Sequence, residues 1–312
     1  MLKDRLLTKF NNSLVGYLPI KIAEGLIGIL ALKVYTSLFA PQIYGQYTLT
    51  NTTISIFSIV CLGWIVQAIS RFSNAYSEDK AQKDAFFSTI IFTWFLIIVL
   101  LSALFLGLNW IFPTLLNNLS ISFGLMLVLL WIGYSVSQVM LSYLLYSDNR
   151  LLNAVLLLLS ASVKLGLTYV LTLFIGNIIL SIFIAQAATD LAVGIIAIFK
   201  SHLKPHIKIK AYSKNMLKQL IAYGYPLIGM GLIMTLLNMS DRYIIKFFYD
   251  STEVGLYTSN YSLASAAFTM LMVGLSRGSY PKILEAWHKK DYSTAERTLS
   301  AGGKYFMMFG LP

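Results

Sequence analysis

Residues 151–199 read LLNAVLLLLSASVKLGLTYVLTLFIGNIILSIFIAQAATDLAVGIIAIF. Two apolar runs, 151–174 and 178–199, are separated only by Ile175, Gly176 and Asn177. A hydrocarbon core about 30 Å thick needs about 20 helical residues at a rise of about 1.5 Å each. Each run is long enough, and the short break between them predicts a hairpin of two membrane-crossing helices. Each run also holds one residue that lipid should exclude, Lys164 near the middle of the first and Asp190 deep in the second.

The same pattern extends in both directions. Spans are expected at 14–38, 46–70, 86–109, 121–146, 151–174, 178–199, 221–245 and 255–276, with a ninth beginning near 299 and cut at Pro312. Whole-chain composition agrees: of 312 residues 57% are hydrophobic and only 12% charged, with a mean hydropathy of +0.71. That is about half the charged fraction of a soluble domain, which excludes a soluble enzyme, a disordered chain and a disulfide-stapled secreted domain. A membrane β-barrel would alternate polar and apolar residues over segments of about 10; the unbroken runs predict an all-α, multi-span bundle instead. The first span is too long for a signal-peptide core and lacks a cleavage site before Pro41. Cys61 is the single cysteine, so the chain forms no internal disulfide and no multi-cysteine zinc site.

The net charge of +11 is distributed by loop. Segments 1–13, 71–85, 147–150, 200–220 and 277–304 together hold nineteen Lys and Arg, whereas 39–45, 110–120, 175–177 and 242–254 hold two. The positive-inside rule therefore places the N-terminus and the basic set in the cytoplasm. The basic charge is accounted for by topology and anionic lipid, so no nucleic-acid partner is expected.

Two stretches resemble each other. Gly16-Tyr17 followed by Tyr44-Gly45-Gln46-Tyr47-Thr48 parallels Gly224-Tyr225 followed by Val254-Gly255-Leu256-Tyr257-Thr258, at offsets of 208 and 210 residues. Each opens a helical hairpin on the same side of the membrane, as expected of two lobes related by a pseudo-twofold axis along the membrane normal. The expected organisation is a six-helix bundle at 1–200, a basic cytoplasmic linker at 201–220, and the start of a second, incomplete bundle at 221–312. Pro312 in mid-span reads as a truncation.

These features resemble the O-antigen and capsule repeat-unit flippases of the multidrug/oligosaccharidyl-lipid/polysaccharide superfamily. The residues that carry the likeness are Pro41, Tyr44, Gly45 and Tyr47 at an expected turn, and Ala68, Ile69, Arg71 and Phe72 at the end of the second span. In the second lobe they are Pro226, the run Asp241-Arg242-Tyr243-Ile244-Ile245, and Val254-Gly255-Leu256-Tyr257. The chain departs at Ser37, where many relatives carry Arg; the nearest cation is Lys33. The resemblance implies transfer of an undecaprenyl-pyrophosphate-linked oligosaccharide from the inner to the outer leaflet of the bacterial inner membrane by two rocking lobes. It also implies a polysaccharide polymerase and a chain-length regulator as partners, and no cofactor.

The residues themselves suggest where the cargo binds. An ionised side chain at mid-span is disfavoured by about 2.5–3.5 kcal/mol unless it faces water or a partner. Lys33 and Lys164 are candidate contacts for the lipid-borne diphosphate, Lys21 a weaker one because Glu24 lies three residues on and shares its helix face. Arg71 could meet headgroup phosphate or simply anchor the span. Asp190 and Glu24 are candidates for a coupling Na⁺ or H⁺. The competing reading is that Lys164 and Asp190 pair with each other and only fasten the bundle, that Lys33 snorkels to the interface, and that Asp241 and Arg242 form a local cap and ion pair. Gln67, Asn153, Gln186 and Asn238 suit either sugar hydroxyls or interhelical bonds.

Enzyme readings find little support. There is no Walker A sequence and no HExxH. His202 and His206 are separated by Pro205 with no third ligand nearby, and His288 stands alone. The remaining alternatives are a cation-coupled drug exporter of the same superfamily, a membrane glycosyltransferase or polymerase, which would need a large outer loop, and a non-transporting assembly factor.

Overall fold

The computed structural model describes residues 23, 25–73, 75–76, 79–111, 121–146, 149–201, 203–288 and 290–310. Among the described residues all regular structure is helical. The helices are α1 (Gly25–Leu38), α2 (Pro41–Phe72), α3 (Lys80–Ile111), α4 (Ile121–Tyr146), α5 (Arg150–Ile175), α6 (Ile178–Lys200), α7 (Lys214–Phe248), α8 (Ser251–His288) and α9 (Tyr292–Gly310). Two single 3₁₀ turns, Lys204–His206 and Ile209–Ala211, lie between α6 and α7.

Among the described residues six helices are long and apolar enough to cross a bilayer: α2, α3, α4, α5, α6 and α7. Gly25–Leu38 is apolar but shorter; the rest of the expected first span, residue 23 apart, lies outside the described residues. The expected span at 255–276 lies within α8, which is long enough but does not reach the same apolarity. Its first half carries Thr258, Ser259, Asn260 and Ser262, and Thr258 is buried.

Helix ends correct several expected boundaries. The expected turn at Tyr44-Gly45-Gln46-Tyr47 is instead the first part of α2, because Pro41 starts the helix where a missing N–H does no harm and φ is already set. Val254-Gly255-Leu256-Tyr257 likewise lies inside α8, and the connection from α7 is only Tyr249 and Asp250. The Asp250 carboxylate accepts from the Thr252 and Glu253 N–H groups, and these bonds, with that from Glu253 the largest influence, hold its pKa below the ordinary value. The ninth helix starts at Tyr292 rather than near 299, and 277–304 is mostly helix rather than loop. The α5–α6 hairpin is as expected: Gly176 ends α5 at φ 69°, a left-handed conformation that suits glycine, and the Asn177 side chain accepts from Leu180 N–H.

Close approach of helices depends on small residues, as is usual where lipid supplies no hydrophobic drive between them. In α4, a methyl group added at Gly133 would stand 2.9 Å from the Ala187 carbonyl oxygen of α6; one added at Gly194 in α6 would stand 2.4 Å from Val136 of α4. Fully buried Leu62, Ile65, Phe86, Leu130, Leu144 and Phe183 fill the core around them. α2 is the hub. It packs on α4, α6 and α3 and also on α7 and α8. At the far end of α2, Gly224 of α7 lies so close that an added methyl would be 2.6 Å from the Trp64 carbonyl oxygen.

The basic segment between α6 and α7 is bound to α3. Asp84, buried near the start of α3, accepts from His206 Nδ1 at 2.6 Å and from Lys208 Nζ at 2.5 Å. Ser88 Oγ donates to the His206 carbonyl and accepts from Lys208 N–H, and Thr89 Oγ1 accepts from Ser213 N–H. The strap thereby fixes the point where α7 begins. Asp84→Asn keeps the shape of the side chain but removes the charge that holds His206 and Lys208. Limited proteolysis with trypsin should then cut after Lys208 and Lys210 severalfold faster than in the parent. Equal cutting rates would mean that the serine and threonine contacts hold the strap without Asp84.

Candidate functional site

Asp190 sits near the middle of α6, and its side chain is 8% exposed. Lys164 of α5 donates to Asp190 Oδ1 at 3.2 Å, with its own side chain 24% exposed. Gln186 lies one turn from Asp190 on the same face of α6. Gln186 Nε2 donates to Asn51 Oδ1 of α2 at 2.7 Å, and Asn51 Nδ2 donates to the Tyr47 carbonyl at 3.1 Å. Gln186 Oε1, in a residue only 4% exposed, has no hydrogen-bond partner among the described residues. α2, α5 and α6 are thus tied by a polar ladder through an otherwise apolar bundle. Asn153 also ties helices, donating to the Leu141 carbonyl of α4, whereas Asn238 bonds back to Met234 of its own helix.

The other expected cations stand apart from this ladder. Lys33 is exposed on α1, and Arg71 is exposed at the end of α2. Lys21 and Glu24 lie outside the described residues. A cavity of about 370 Å³ opens between α1, α2 and α8, lined among others by Gly28, Leu32, Tyr35, Tyr44, Tyr47 and Ser262. Among the described residues its lining holds no Lys, Arg, Asp or Glu. The cavity touches the ladder through Tyr47, whose carbonyl holds Asn51.

Beside the cavity, α2 meets α7 and α8 in a seam. A methyl added at Gly45 would stand 1.9 Å from the Ser251 carbonyl oxygen, and one added at Gly255 would stand 1.9 Å from the Pro41 carbonyl oxygen. Farther along, Tyr243 and Thr53 share a hydrogen bond of 2.7 Å. Asp241 and Arg242 keep part of the expected local bonding but not the expected ion pair. Both lie inside α7, since the helix continues to Phe248; Asp241 Oδ1 accepts from the Arg242 N–H at 2.8 Å, while the guanidinium turns to another helix. Asp241 accepts from the Tyr257 hydroxyl of α8, while Arg242 Nη1 donates to Thr52 Oγ1 of α2 at 2.8 Å. A cation that pairs across elements carries no spacing signal, so linear sequence gives no sign of this contact.

One motif goes unread among the enzyme signatures above and is empty in the fold. Gly274-Leu275-Ser276-Arg277-Gly278 fits the Gly-x-Ser-x-Gly pattern of hydrolases, yet all five residues lie within α8. The hydrolase motif needs a sharp strand-to-helix turn, and a helix interior supplies none. Among the described residues no group of three metal-binding side chains occurs.

Long apolar helices, tight glycine crossings and a buried ion pair define a multi-pass membrane protein. The chain belongs to the family described as "Polysaccharide biosynthesis protein", whose model matches residues 15–287. No curated protein matches the chain. Among solved structures it is similar to a multidrug resistance MATE family transporter of the MOP superfamily in an inward-facing conformation, with a TM-score of 0.64 and 14% identity over 91% of this chain and 68% of that one. It is also similar to a MATE protein in complex with Br-NRF, with a TM-score of 0.58 and 13% identity over 94% of this chain and 72% of that one. The fold is therefore that of the MOP-superfamily transporters.

Proposed function

We propose that the chain moves an undecaprenyl-pyrophosphate-linked oligosaccharide from the inner to the outer leaflet of a bacterial cytoplasmic membrane, with its N-terminus in the cytoplasm. The observation that carries this reading is the match to a polysaccharide biosynthesis family over 15–287, in a chain whose fold is that of transporters. Two lobes, 1–200 and 221–312, joined by the strap on α3, rock about the α2–α7–α8 seam. A diphosphate is expensive to carry through a low dielectric without counter-charge. Lys33, Lys21 and Arg71 supply cationic contacts along the route, and Lys164 joins them when it leaves Asp190. Asp190 and Glu24 take up the coupling Na⁺ or H⁺ as Lys164 moves away. The chain acts as a transporter rather than an enzyme, beside a polymerase and a chain-length regulator in the same membrane.

One observation favours a second reading, cation-coupled export of small amphipathic compounds. The cavity of about 370 Å³ is lined by apolar groups and tyrosines, a size and chemistry typical of small-molecule pockets. Liposomes containing the full chain separate the two. Fluorescently tagged undecaprenyl-pyrophosphate oligosaccharide should become accessible to a quencher outside at a rate that depends on the protein, and Lys33→Ala should slow it. Drug-dye efflux without any movement of the lipid-linked sugar would select the second reading.

A further inference from the structure

We propose that Arg242 is a cargo-operated latch between α2 and α7, a guanidinium that the diphosphate of the cargo takes over from Thr52, freeing the α1–α2 end of the bundle to open. The inference rests on the reading of the cargo as a diphosphate-bearing lipid and assigns that group a contact among residues not otherwise in the route.

Four observations converge on Arg242. It lies six residues, about 9 Å of helix, from the end of α7, yet its guanidinium does not turn outward. It reaches Thr52, eleven residues into α2. The carboxylate beside it in sequence does not meet the guanidinium, because Asp241 accepts from the Tyr257 hydroxyl through Oδ2 and from the Arg242 backbone N–H through Oδ1. Among the described residues no carboxylate lies within ion-pair distance of Arg242. Its Nε is buried with no hydrogen-bond acceptor there. Arginine has five N–H donors in a flat fork that suits phosphate oxygens. Among the described residues its side-chain acceptor is one neutral hydroxyl, that of Thr52, which already donates its own proton to the Thr48 carbonyl.

A charge-assisted bond from guanidinium to phosphate is roughly twice as strong as one to a neutral acceptor, and the fork can make two of them. An arriving diphosphate therefore outcompetes Thr52. The approach is short: Thr52 lies eight residues, about 12 Å along α2, from Tyr44 in the cavity wall. The consequence is mechanical, because Thr52–Arg242 and Thr53–Tyr243 are adjacent cross-links between the same two helices. Losing the first leaves the seam held there by a single hydroxyl pair and by the Gly45–Gly255 crossing.

The test uses the full chain in phosphatidylcholine nanodiscs with Cys61→Ala, and inorganic pyrophosphate as the probe. A short bis-thiol cross-linker reads the seam between Thr53→Cys and Tyr243→Cys. Pyrophosphate should bind, and should lower the cross-linking yield. Arg242→Gln should bind it about ten- to a hundredfold more weakly and keep its yield unchanged on adding it, while Arg242→Lys should retain part of the response. Thr52→Val, which removes the competing acceptor, should bind pyrophosphate more tightly than the parent. Equal affinity in parent and Arg242→Gln, or a yield that saturating pyrophosphate leaves untouched, overturns the latch alone. Should Arg242→Gln fail to fold, unchanged affinity in Thr52→Val overturns it equally. A parent that binds no pyrophosphate removes the diphosphate-cargo reading as well. Loss of the cross-link on adding phosphatidylglycerol without pyrophosphate assigns the site to bulk anionic lipid and overturns its role in cargo recognition.

Discussion

Gly45→Ala is expected to hold the α1–α2 end of the bundle open. The added methyl would stand 1.9 Å from the Ser251 carbonyl oxygen, and the reciprocal Gly255→Ala would place one 1.9 Å from the Pro41 carbonyl oxygen. Both obstacles are backbone atoms at the starts of α2 and α8, so no side-chain rotation relieves them. The helices must separate by more than an ångström. Overpacking of this kind disfavours the packed state by about 1–3 kcal/mol, too little to unfold the bundle but enough to lose one crossing. Ser262→Cys in a Cys61→Ala background gives the reading, since Ser262 lines the cavity between α1, α2 and α8. A water-soluble maleimide should label it about tenfold faster in Gly45→Ala, the ratio expected for loss of about 1.4 kcal/mol of closure. The double variant Gly45→Ala/Gly255→Ala should label little faster than either single one, because one methyl already parts the helices and the two sites share the contact. Unchanged labelling would mean that this crossing does not close the cavity. Additive rates in the double variant would mean that the two glycines act separately.

Of this crossing the sequence shows only that Tyr44-Gly45-Gln46-Tyr47-Thr48 and Val254-Gly255-Leu256-Tyr257-Thr258 are alike. It does not show that the two glycines meet, because similarity over 210 residues carries no distance. The helical class was legible because lipid imposes one rule on every span, and runs such as 151–174 satisfy it without reference to neighbours. Boundaries were less legible. Pro41 reads as a break in a linear pattern but opens α2, and 255–276 reads as a span like the others although it begins with the polar residues of α8, of which Thr258 is buried in the bundle. The site divides the same way. Lys164 and Asp190 stand out because charge is rare at that depth, and their pairing is one of two arrangements that the sequence leaves open. Arg242 stands out only within the Asp241-Arg242 run, with a local pairing expected, and Asp84 does not stand out. The partners of Arg242 and Asp84 lie 190 and more than 120 residues away, on helices whose rotation only packing decides.

Lys164→Ala is expected to lower the melting temperature of the detergent-solubilised chain by roughly ten degrees, more than Asp190→Asn does. Removing one member of a buried pair costs about 3–5 kcal/mol, because the survivor keeps an uncompensated charge, and each kcal/mol moves the midpoint by a few degrees in a chain of this size. The two survivors differ in their surroundings. Asp190 is 8% exposed and held in the interior of α6, whereas Lys164 is 24% exposed on a long stem that can reach out when its partner is gone. Replacing both at once, in Lys164→Met/Asp190→Leu, removes the charges together with the penalty for burying them, and the melting temperature should return close to that of the parent. That double variant separates fastening from transport. A pair that only fastens the bundle can be exchanged for apolar packing without loss. A Lys164 that must leave Asp190 to meet the diphosphate, and an Asp190 that must then take up a cation, cannot. The expected outcome is a stable, membrane-inserted protein that exports no surface glycan. Export at the parent rate by Lys164→Met/Asp190→Leu would remove both residues from the transport route and leave them as a fastening between α5 and α6.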